Sequence, residues 1–410
     1  MEPPEKPVVQ IWAAGTGGGH LRVAQALAQA LSERSAGRVS VAIDDPLAEP
    51  IGRSARHLAG GYGPLVRTSP ALWGLVFRSF SISWLNRWMD GFLLRQVGPA
   101  MAARTRRRAP LVVVNCHPLL GAAVRLAADA ASTPAGSPAV VTLMTDLVGG
   151  HQGWLSPLPD ALLTATPEAT TWCLRRGVPA GLLVETGLPI DPVLAAGPLH
   201  ELDRQRRRRD LGLDPYLPVV LLGGGAEGAG AMPRLVRWLG QSTLPLQVVV
   251  ACGHNRRLAR WLRQHPNRIP TLGLTYQPSL TPWIQAADVY LGKAGPSTLA
   301  EAAAAGLAIV VTDSLPGQEE NNGAALVAAG AAVQTSGPAG LREILGRLFR
   351  PGDPLRESLQ QGALRWARPT AARRAAEVVL SFADAGLGAP GALLPGRIAA
   401  GPGGGHQPPD

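Results

Sequence analysis

Residues 8–34 read VVQIWAAGTGGGHLRVAQALAQALSER, and the fold class follows from this stretch. Its apolar start, Val8 to Ala14, is typical of a buried strand, and the apolar residues from Leu21 to about Arg34 recur at helical spacing. The glycines between them allow close backbone approach to a ligand, and the free N–H groups of a helix start favour an anion or an oxyanion. His20 ends this loop as either a general base or a histidine that only packs at the turn.

Apolar and helical segments alternate along the chain in two series. Further apolar segments begin at residues 39, 111, 139 and 162, and the second series begins at Pro218. Such alternation is typical of parallel sheets covered by helices, so we predict an α/β fold of two Rossmann-like domains facing across a cleft. The predicted parts are an N-terminal domain (1–190), a linker (191–205), a C-terminal domain (206–385) and a disordered Gly/Pro-rich tail (386–410).

The composition describes a globular protein of 410 residues, 46% apolar and 17% charged. Its three widely spaced cysteines form neither a disulfide framework nor a CxxC metal pair. The N-terminus lacks the pattern of a signal peptide, and no run of about 18 apolar residues is present to span a bilayer. We therefore expect a cytoplasmic protein that can contact a membrane without crossing it.

The strongest charge asymmetry lies between residues 51 and 110, where ten arginines accompany one acidic residue. Aromatic residues recur there at spacings of three or four, namely Trp73, Phe77, Phe80, Trp84, Trp88 and Phe92. An arginine-edged aromatic stripe predicts either an interfacial helix on anionic membrane lipids or a buried core stripe, and periodicity does not separate the two. Nucleic acid is not expected as a partner, because no recognised binding motif accompanies the charge.

Three C-terminal motifs predict a site for a phosphorylated sugar ligand. The loop GGGAEGAG follows a buried strand and can wrap a pyrophosphate with backbone donors. In KAGPSTLAEA, Lys293 is placed for a phosphate and Glu301 for paired ribose hydroxyls. The other candidates are Gly224, Gly225, Glu227 and Gly228 in the loop, Gly295 and Ser297 at the helix start, and Gln318, Glu319 and Asn322 for sugar hydroxyls. Taken singly, the three motifs are also compatible with a flexible surface loop, a solvated helix start and a polar turn.

Polar side chains also follow two strands of the first domain, in NCHP and TDLVGGHQGW. They place His117, Asp146, His151 and Trp154 at the same edge of the cleft. A metal site is the competing interpretation, but the histidines lack HxxxH or HxH spacing and the chain has no DxD motif. We expect no metal and no other cofactor.

These pieces stand in the order of one known family over about residues 8–335: TGGGH, YGPLV, CHPLL, TDLVGGHQGW, GLPIDP, GGGAEG, CGHNRRL, KAGPSTLAEA and PGQEENN. The sequence resembles the monogalactosyldiacylglycerol synthases and related processive diacylglycerol glycosyltransferases of glycosyltransferase family 28. The resemblance implies a GT-B fold and inverting transfer of a hexose, with galactose favoured over glucose, from a UDP-hexose to 1,2-diacylglycerol. It implies that the C-terminal domain binds UDP-sugar, and that the N-terminal domain binds the lipid at the membrane surface.

Carried over by motif, His20 is the catalytic base or its close neighbour, and Asp146 is the other candidate. The residues on the acceptor side are then Gly18, Gly19, Trp73, His117, His151 and Trp154. Two departures stand out: the acid that precedes TGGGH in plant-type sequences is absent, and Ser297 occupies a place often held by glycine. The alternatives are a transferase for a polyprenyl, sterol or glycolipid acceptor, a UDP-sugar epimerase, and a noncatalytic membrane-binding protein of the same fold.

Overall fold

The structure is a computed structural model that describes residues 6–15, 18–47, 53–79, 83–134 and 136–387, and side chains at all of these except 53–59, 83 and 84. Phe80, the side chain of Trp84 and nearly all of the predicted tail lie outside the described residues.

The N-terminal half is a six-stranded parallel sheet in the order β2-β1-β3-β4-β5-β6. The strands are β1 (Val8–Trp12), β2 (Ser40–Asp44), β3 (Val112–Asn115), β4 (Ala139–Leu143), β5 (Ala161–Thr164) and β6 (Leu183–Glu185). The helices are α1 (Gly19–Arg34), α2 (Arg53–Thr68), α3 (Pro70–Ser79), α4 (Ser83–Arg108), α5 (Gly121–Ala130) and α6 (Pro167–Leu174). The predicted strand, loop and helix of residues 8–34 are confirmed, and the helix starts two residues earlier than predicted.

The C-terminal half is a second six-stranded parallel sheet, in the order β12-β11-β10-β7-β8-β9. Its elements, with the two helices that precede it, are α7 (Pro192–Ala195), α8 (Glu201–Asp210), β7 (Val219–Gly223), α9 (Met232–Gly240), β8 (Gln247–Ala251), α10 (Arg256–Gln264), β9 (Thr271–Leu274), α11 (Thr281–Ala286), β10 (Val289–Lys293), α12 (Pro296–Ala304), β11 (Ala308–Asp313), α13 (Glu320–Ala328), β12 (Ala332–Gln334), α14 (Gly337–Leu348), α15 (Leu355–Trp366) and α16 (Ala371–Gly386). The two-domain α/β prediction is confirmed.

The last helix departs from the predicted division of the chain. Helix α16 packs against α1 and β3 of the N-terminal sheet, where its Val379 shares a core with Leu27. Arg34 and Glu377 form an ion pair between the two helices at 3.0 Å. Residues 371–386 therefore return to the N-terminal half, because the apolar face of α16 matches that of α1.

The predicted linker contains α7 and the first half of α8, and both helices pack on other elements. Helix α7 packs on α11 and α12, and α8 packs on α11. The buried guanidinium of Arg208 in α8 bonds Asp288 at 2.8 Å, just before β10. The chain therefore crosses between the halves at residues 186–191, and the helices from α7 to α15 pack with the C-terminal half.

Part of the basic segment is neutralised within the fold. Asp44, at the end of β2, is nearly buried and pairs with Arg104 at 3.1 Å and Arg108 at 3.0 Å, and Gln10 donates to the same carboxylate at 2.8 Å. These contacts attach the end of α4 to the sheet. None of the helices among the described residues is both long and apolar enough to cross a bilayer.

Candidate active site

The glycine loops of the two halves meet at the carboxyl edges of both sheets. Gly18 has a φ of +74°, and a Cβ there would lie 3.1 Å from the Cβ of Ala226. A Cβ on Gly19 would lie 3.0 Å from the hydroxyl oxygen of Ser297. Glycine at these two positions therefore permits the close approach of the halves.

A cavity lies between the halves at this edge. The predicted site residues that line it are Gly19, His20, Asp146, Gly225, Lys293, Gly295, Ser297, Gln318 and Glu319. Five further lining residues, Arg22, Tyr62, Thr145, Pro296 and Thr298, were not predicted as site residues from the sequence. Both candidate bases thus share one cavity with most of the predicted donor-binding residues.

The imidazole of His20 is held by contacts inside the protein. Its Nδ1 lies 2.9 Å from the Thr145 hydroxyl, and a second hydrogen bond joins the ring to the backbone of Cys116. Burial lowers the pKa of His20 to about 4, and the Cys116 contact opposes this shift. His20 is therefore neutral at pH 7, and it is a weak proton acceptor.

Asp146 follows β4 and is also buried, but its pKa moves in the opposite direction. Burial raises the pKa of Asp146 to about 7, and the negative charge of Glu319 adds to the shift. The Trp154 indole N–H donates to Oδ2 at 2.6 Å, which stabilises the carboxylate and limits the rise of the pKa. A Cβ at Gly150 would overlap this carboxylate, so the glycine makes room for it.

Two further histidines, His117 and His151, contact His20 and Asp146 respectively. His117 and His151 each accept a backbone hydrogen bond at Nδ1, from Leu119 and Gly153, and so begin short 3₁₀ turns. The ring of His117 lies 4.6 Å from that of His20. Burial lowers the pKa of both His117 and His151, so both are neutral at pH 7 and add no charge near His20 and Asp146.

In the C-terminal half, the strand ends place one cation and one carboxylate at the cavity. The Lys293 ammonium donates to Glu319 Oε1 at 2.5 Å, and the other Glu319 oxygen accepts from the Leu315 N–H at 3.3 Å. Gly225 has a φ of +69° and lies against the Lys293 side chain. The start of α12 at Gly295 carries no side-chain cap, which leaves N–H groups at the cavity that favour an anion.

The other predicted donor residues lie around this cavity. Glu301 is buried on α12, and Arg22 of α1 approaches it at 3.5 Å across the cleft. Burial raises the pKa of Glu301, whereas the Arg22 charge opposes the shift. The Asn322 amide is buried behind the cavity and donates to the Ala294 carbonyl at 3.0 Å, so it supports the turn before α12.

A neighbouring cavity extends from the glycine loops toward β9. It is bounded by Arg22, Gly225, Gly253 and the segment 275–278, in which Tyr276 stacks on His254 with ring centroids 4.3 Å apart. Residues 275–278 were not predicted as part of a site from the sequence. An aromatic residue two positions after an edge strand was the available signal, but Tyr276 and Gln277 form no recognisable motif.

Helices α2 and α3, which we call the α2–α3 hairpin (residues 53–79), lie over two loops of the C-terminal half. These are the glycine loop (223–230) and the loop 314–319, which carry predicted UDP-sugar-binding residues and which we call the donor loops. Trp73 and Tyr62 stack edge to face at 4.9 Å beside the buried Val66 and Leu315. The ring of Phe77 contacts His151 at 5.6 Å, and a Cβ at Gly317 would lie 2.9 Å from Phe77.

The aromatic stripe is therefore divided between two environments. Its first part packs inside the protein, whereas Trp88 on α4 is 56% exposed. Among the described residues, no three His, Cys, Asp or Glu side chains converge to hold a metal ion.

Two parallel-sheet domains with opposed glycine loops define the GT-B fold, and solved structures with this fold resemble the chain. Acinetobacter baumannii MurG is 21% identical with a TM-score of 0.57, covering 91% of this chain and 99% of that one. Anabaena Alr3699/HepE in complex with UDP and glucose is 13% identical with a TM-score of 0.56, covering 92% and 100%. At these identities the likeness concerns the fold.

Sequence comparison narrows the class to one family. The family model of monogalactosyldiacylglycerol (MGDG) synthase matches residues 20–190, and that of the glycosyltransferase family 28 C-terminal domain matches residues 219–337. Monogalactosyldiacylglycerol synthase 3 of Arabidopsis thaliana is 28% identical over 370 residues, which are 88% of this chain and 78% of that protein. A Glycine max protein named as a probable synthase of this kind is 30% identical over 381 residues, covering 90% and 70%. The chain belongs to the monogalactosyldiacylglycerol synthase family.

Proposed function

We propose that this enzyme transfers a hexose, with galactose favoured over glucose, from a UDP-hexose to the free hydroxyl of 1,2-diacylglycerol, with inversion at the anomeric carbon. Family membership supports the substrates. The observation that carries the mechanism is the shared cavity, in which Asp146 and His20 face Lys293, Gln318 and Glu319.

Asp146 is the base in this proposal. A carboxylate whose pKa is raised to about 7 accepts a proton with more driving force than an imidazole whose pKa is about 4. The lipid hydroxyl gives its proton to Asp146 as its oxygen bonds to the anomeric carbon, and the bond to UDP breaks on the opposite face. His20 stays neutral, and with Thr145 it orients the acceptor hydroxyl.

The donor residues stabilise the leaving group. Negative charge grows on the diphosphate as its bond to the sugar breaks. The N–H groups of Gly224 and Gly225, the start of α12 and the Lys293 ammonium stabilise that charge in this proposal without a metal ion, and the Gly228 N–H supports the loop by donating to the Gly225 carbonyl at 3.0 Å. Glu301 binds ribose, and Gln318 and Glu319 bind the hexose. The nucleobase occupies the cavity beside Tyr276.

The assay of this function uses purified protein, diacylglycerol in liposomes containing phosphatidylglycerol, and EDTA. UDP-galactose, UDP-glucose and UDP-N-acetylglucosamine are offered separately, and the lipid products are resolved by mass and hexose stereochemistry. We expect a β-linked hexosyldiacylglycerol, formed fastest from UDP-galactose. If folded protein binds UDP but forms no lipid product, the diacylglycerol assignment is wrong. Loss of the product in EDTA that Mg²⁺ restores would contradict metal independence.

We also propose that α3 and α4 contact anionic lipids at the cytoplasmic surface of a membrane. Leu72 and Leu75 on α3 are 48% and 63% exposed. On α4, the exposed Arg87 and Arg95 flank the exposed Trp88 on one side of the helix. Exposed apolar residues with adjacent guanidinium groups suit an anionic bilayer surface.

The double variant Arg87→Glu/Arg95→Glu is expected to bind phosphatidylglycerol liposomes at least about tenfold more weakly, since each basic residue near an anionic leaflet contributes about 1 kcal/mol. Co-sedimentation at low and high salt measures the loss. Arg260→Glu/Arg263→Glu makes the same charge change on the exposed side of α10 and is the matched control. Equal losses in both variants would contradict a binding surface on α4.

A further inference from the structure

The α2–α3 hairpin of the N-terminal half closes over both donor loops of the C-terminal half. A Cβ at Gly63 would overlap the Glu227 carboxylate, and one at Gly74 would lie 2.5 Å from the Cβ of Pro316. Val66 is buried between them, against Ala229. Two glycines inside helices cost stability unless a close approach requires them, and here each allows a donor loop to reach the helix backbone.

Three partly or fully buried carboxylates near the donor loops each pair with a cation. The pairs are Arg22 with Glu301, Lys293 with Glu319, and Arg67 with Glu227. The third pair joins α2 to the glycine loop that the proposed function assigns to the diphosphate. Its side chains are 29% and 17% exposed, so the pair is partly shielded from water and its charges act more strongly than those of a surface pair.

We propose that Arg67 is a donor-binding residue that the N-terminal half supplies across the cleft. Glu227 positions its guanidinium at the glycine loop, and in the donor complex the guanidinium contacts the diphosphate. This inference rests on the proposed donor site and adds a residue from the other half of the molecule to it.

The negative charge of Glu227 explains why the glycine loop needs the Arg67 guanidinium to bind a diphosphate. Glu227 places a carboxylate in the same loop that has to receive a doubly charged diphosphate, and like charges in a partly desolvated site repel each other. A guanidinium between the two anions converts this repulsion into attraction, and its planar donors suit phosphate oxygens bidentately. Tyr62, one residue before Gly63, lines the cavity that also contains His20, Asp146 and Lys293. Burial and the charges of Glu319 and Glu227 raise the pKa of its hydroxyl, which therefore stays protonated as a donor.

The test compares two variants that break the same ion pair from opposite ends. UDP and uridine affinities are measured by titration calorimetry for the full chain, and folding is checked by Tm. Arg67→Gln is expected to weaken UDP binding about tenfold or more, the effect of losing a charged hydrogen-bonding partner, and to leave uridine binding unchanged. Glu227→Gln is expected to bind UDP at least as tightly as the native chain, because it removes a negative charge beside the diphosphate while its amide oxygen can still accept from the Arg67 guanidinium. If the pair only ties the two halves together, both variants weaken UDP binding to the same extent, and the inference is wrong.

Arg78→Gln is the matched control within the hairpin. It removes a second ion pair, between the hairpin and the residue that follows a donor loop, Arg78 with Glu320 at 2.6 Å, in which the two side chains are 63% and 41% exposed. UDP affinity is expected to stay unchanged, and a loss equal to that of Arg67→Gln would show that the hairpin acts by docking alone. A native chain that binds no UDP would overturn the proposed function itself. Native binding with equal losses in Arg67→Gln and Glu227→Gln would overturn only this inference.

Discussion

Asp146→Asn is expected to lower kcat by about 100-fold to 10,000-fold, the usual contribution of a general base. The amide has the size of the carboxyl group and can still accept the Trp154 hydrogen bond, but it cannot take the proton of the lipid hydroxyl. UDP binding is expected to remain within about twofold, since Asp146 is proposed to act on the acceptor. Initial rates at saturating donor and fixed liposome composition measure the change.

The pH dependence of kcat/KM identifies the base independently of mutation. Because burial raises the pKa of Asp146 to about 7, the active carboxylate is lost as the pH falls through 7, and the rate should drop about tenfold per unit below it. With His20 as the base, whose pKa is about 4, the rate would stay flat from pH 8 to about pH 5.

Trp154→Phe is the positioning control for Asp146. It removes the indole N–H that stabilises the carboxylate, so the pH at which the rate falls should move upward while the base is retained. His20→Gln is expected to lower kcat less than Asp146→Asn. A flat profile together with near-native activity of Asp146→Asn would contradict the assignment and leave His20 as the base.

The elements predicted best from the sequence are those whose signal is local. Strand β1, its glycine loop and α1 lie within 27 residues, and each glycine and apolar residue has one role there. Ligands of open parallel sheets bind at the carboxyl ends of the strands, and His20, Asp146, Lys293 and Glu319 all end or follow strands in the sequence. Their position in one cavity was therefore predictable without knowledge of the side-chain positions.

The parts that sequence reasoning missed depend on partners far along the chain. Helical spacing places Trp73 and Phe77 on one stripe, but whether that stripe meets lipid or protein depends on a loop about 240 residues later, at Pro316 and Gly317. Asn322 has a residue type suited to a sugar, but its amide supports a backbone turn. Gly63 was the available signal for the contact between the α2–α3 hairpin and the glycine loop. A glycine inside a helix lowers the stability of the helix, so its presence suggests that another part of the chain approaches closely there.

Gly228→Ala is expected to weaken UDP binding by about 100-fold, because a misplacement of about 1 Å in a binding loop can have an effect of that size. Gly228 has a φ of +57°, and a Cβ there would overlap the Cys252 carbonyl and lie 2.9 Å from the Cβ of Asn255. Neither neighbour can move freely, since the Asn255 amide donates to the Gly228 carbonyl and caps α10 by accepting from Leu258. The loop that carries Gly224 must therefore shift toward the cavity, and its N–H groups no longer have the geometry to donate hydrogen bonds to the diphosphate.

The matched control for this variant separates backbone strain from displacement of the loop. Gly330→Ala imposes a similar strain, since Gly330 has a φ of +66°, but a Cβ there would meet nothing within 4 Å. Both variants should lose about 1 kcal/mol of unfolding free energy from the left-handed conformation, and only Gly228→Ala should also lose UDP affinity. Calorimetric titration with UDP and thermal unfolding measure the two effects separately. If Gly228→Ala is destabilised but still binds UDP like Gly330→Ala, the glycine loop does not hold the diphosphate, and the donor must lie elsewhere in the cleft.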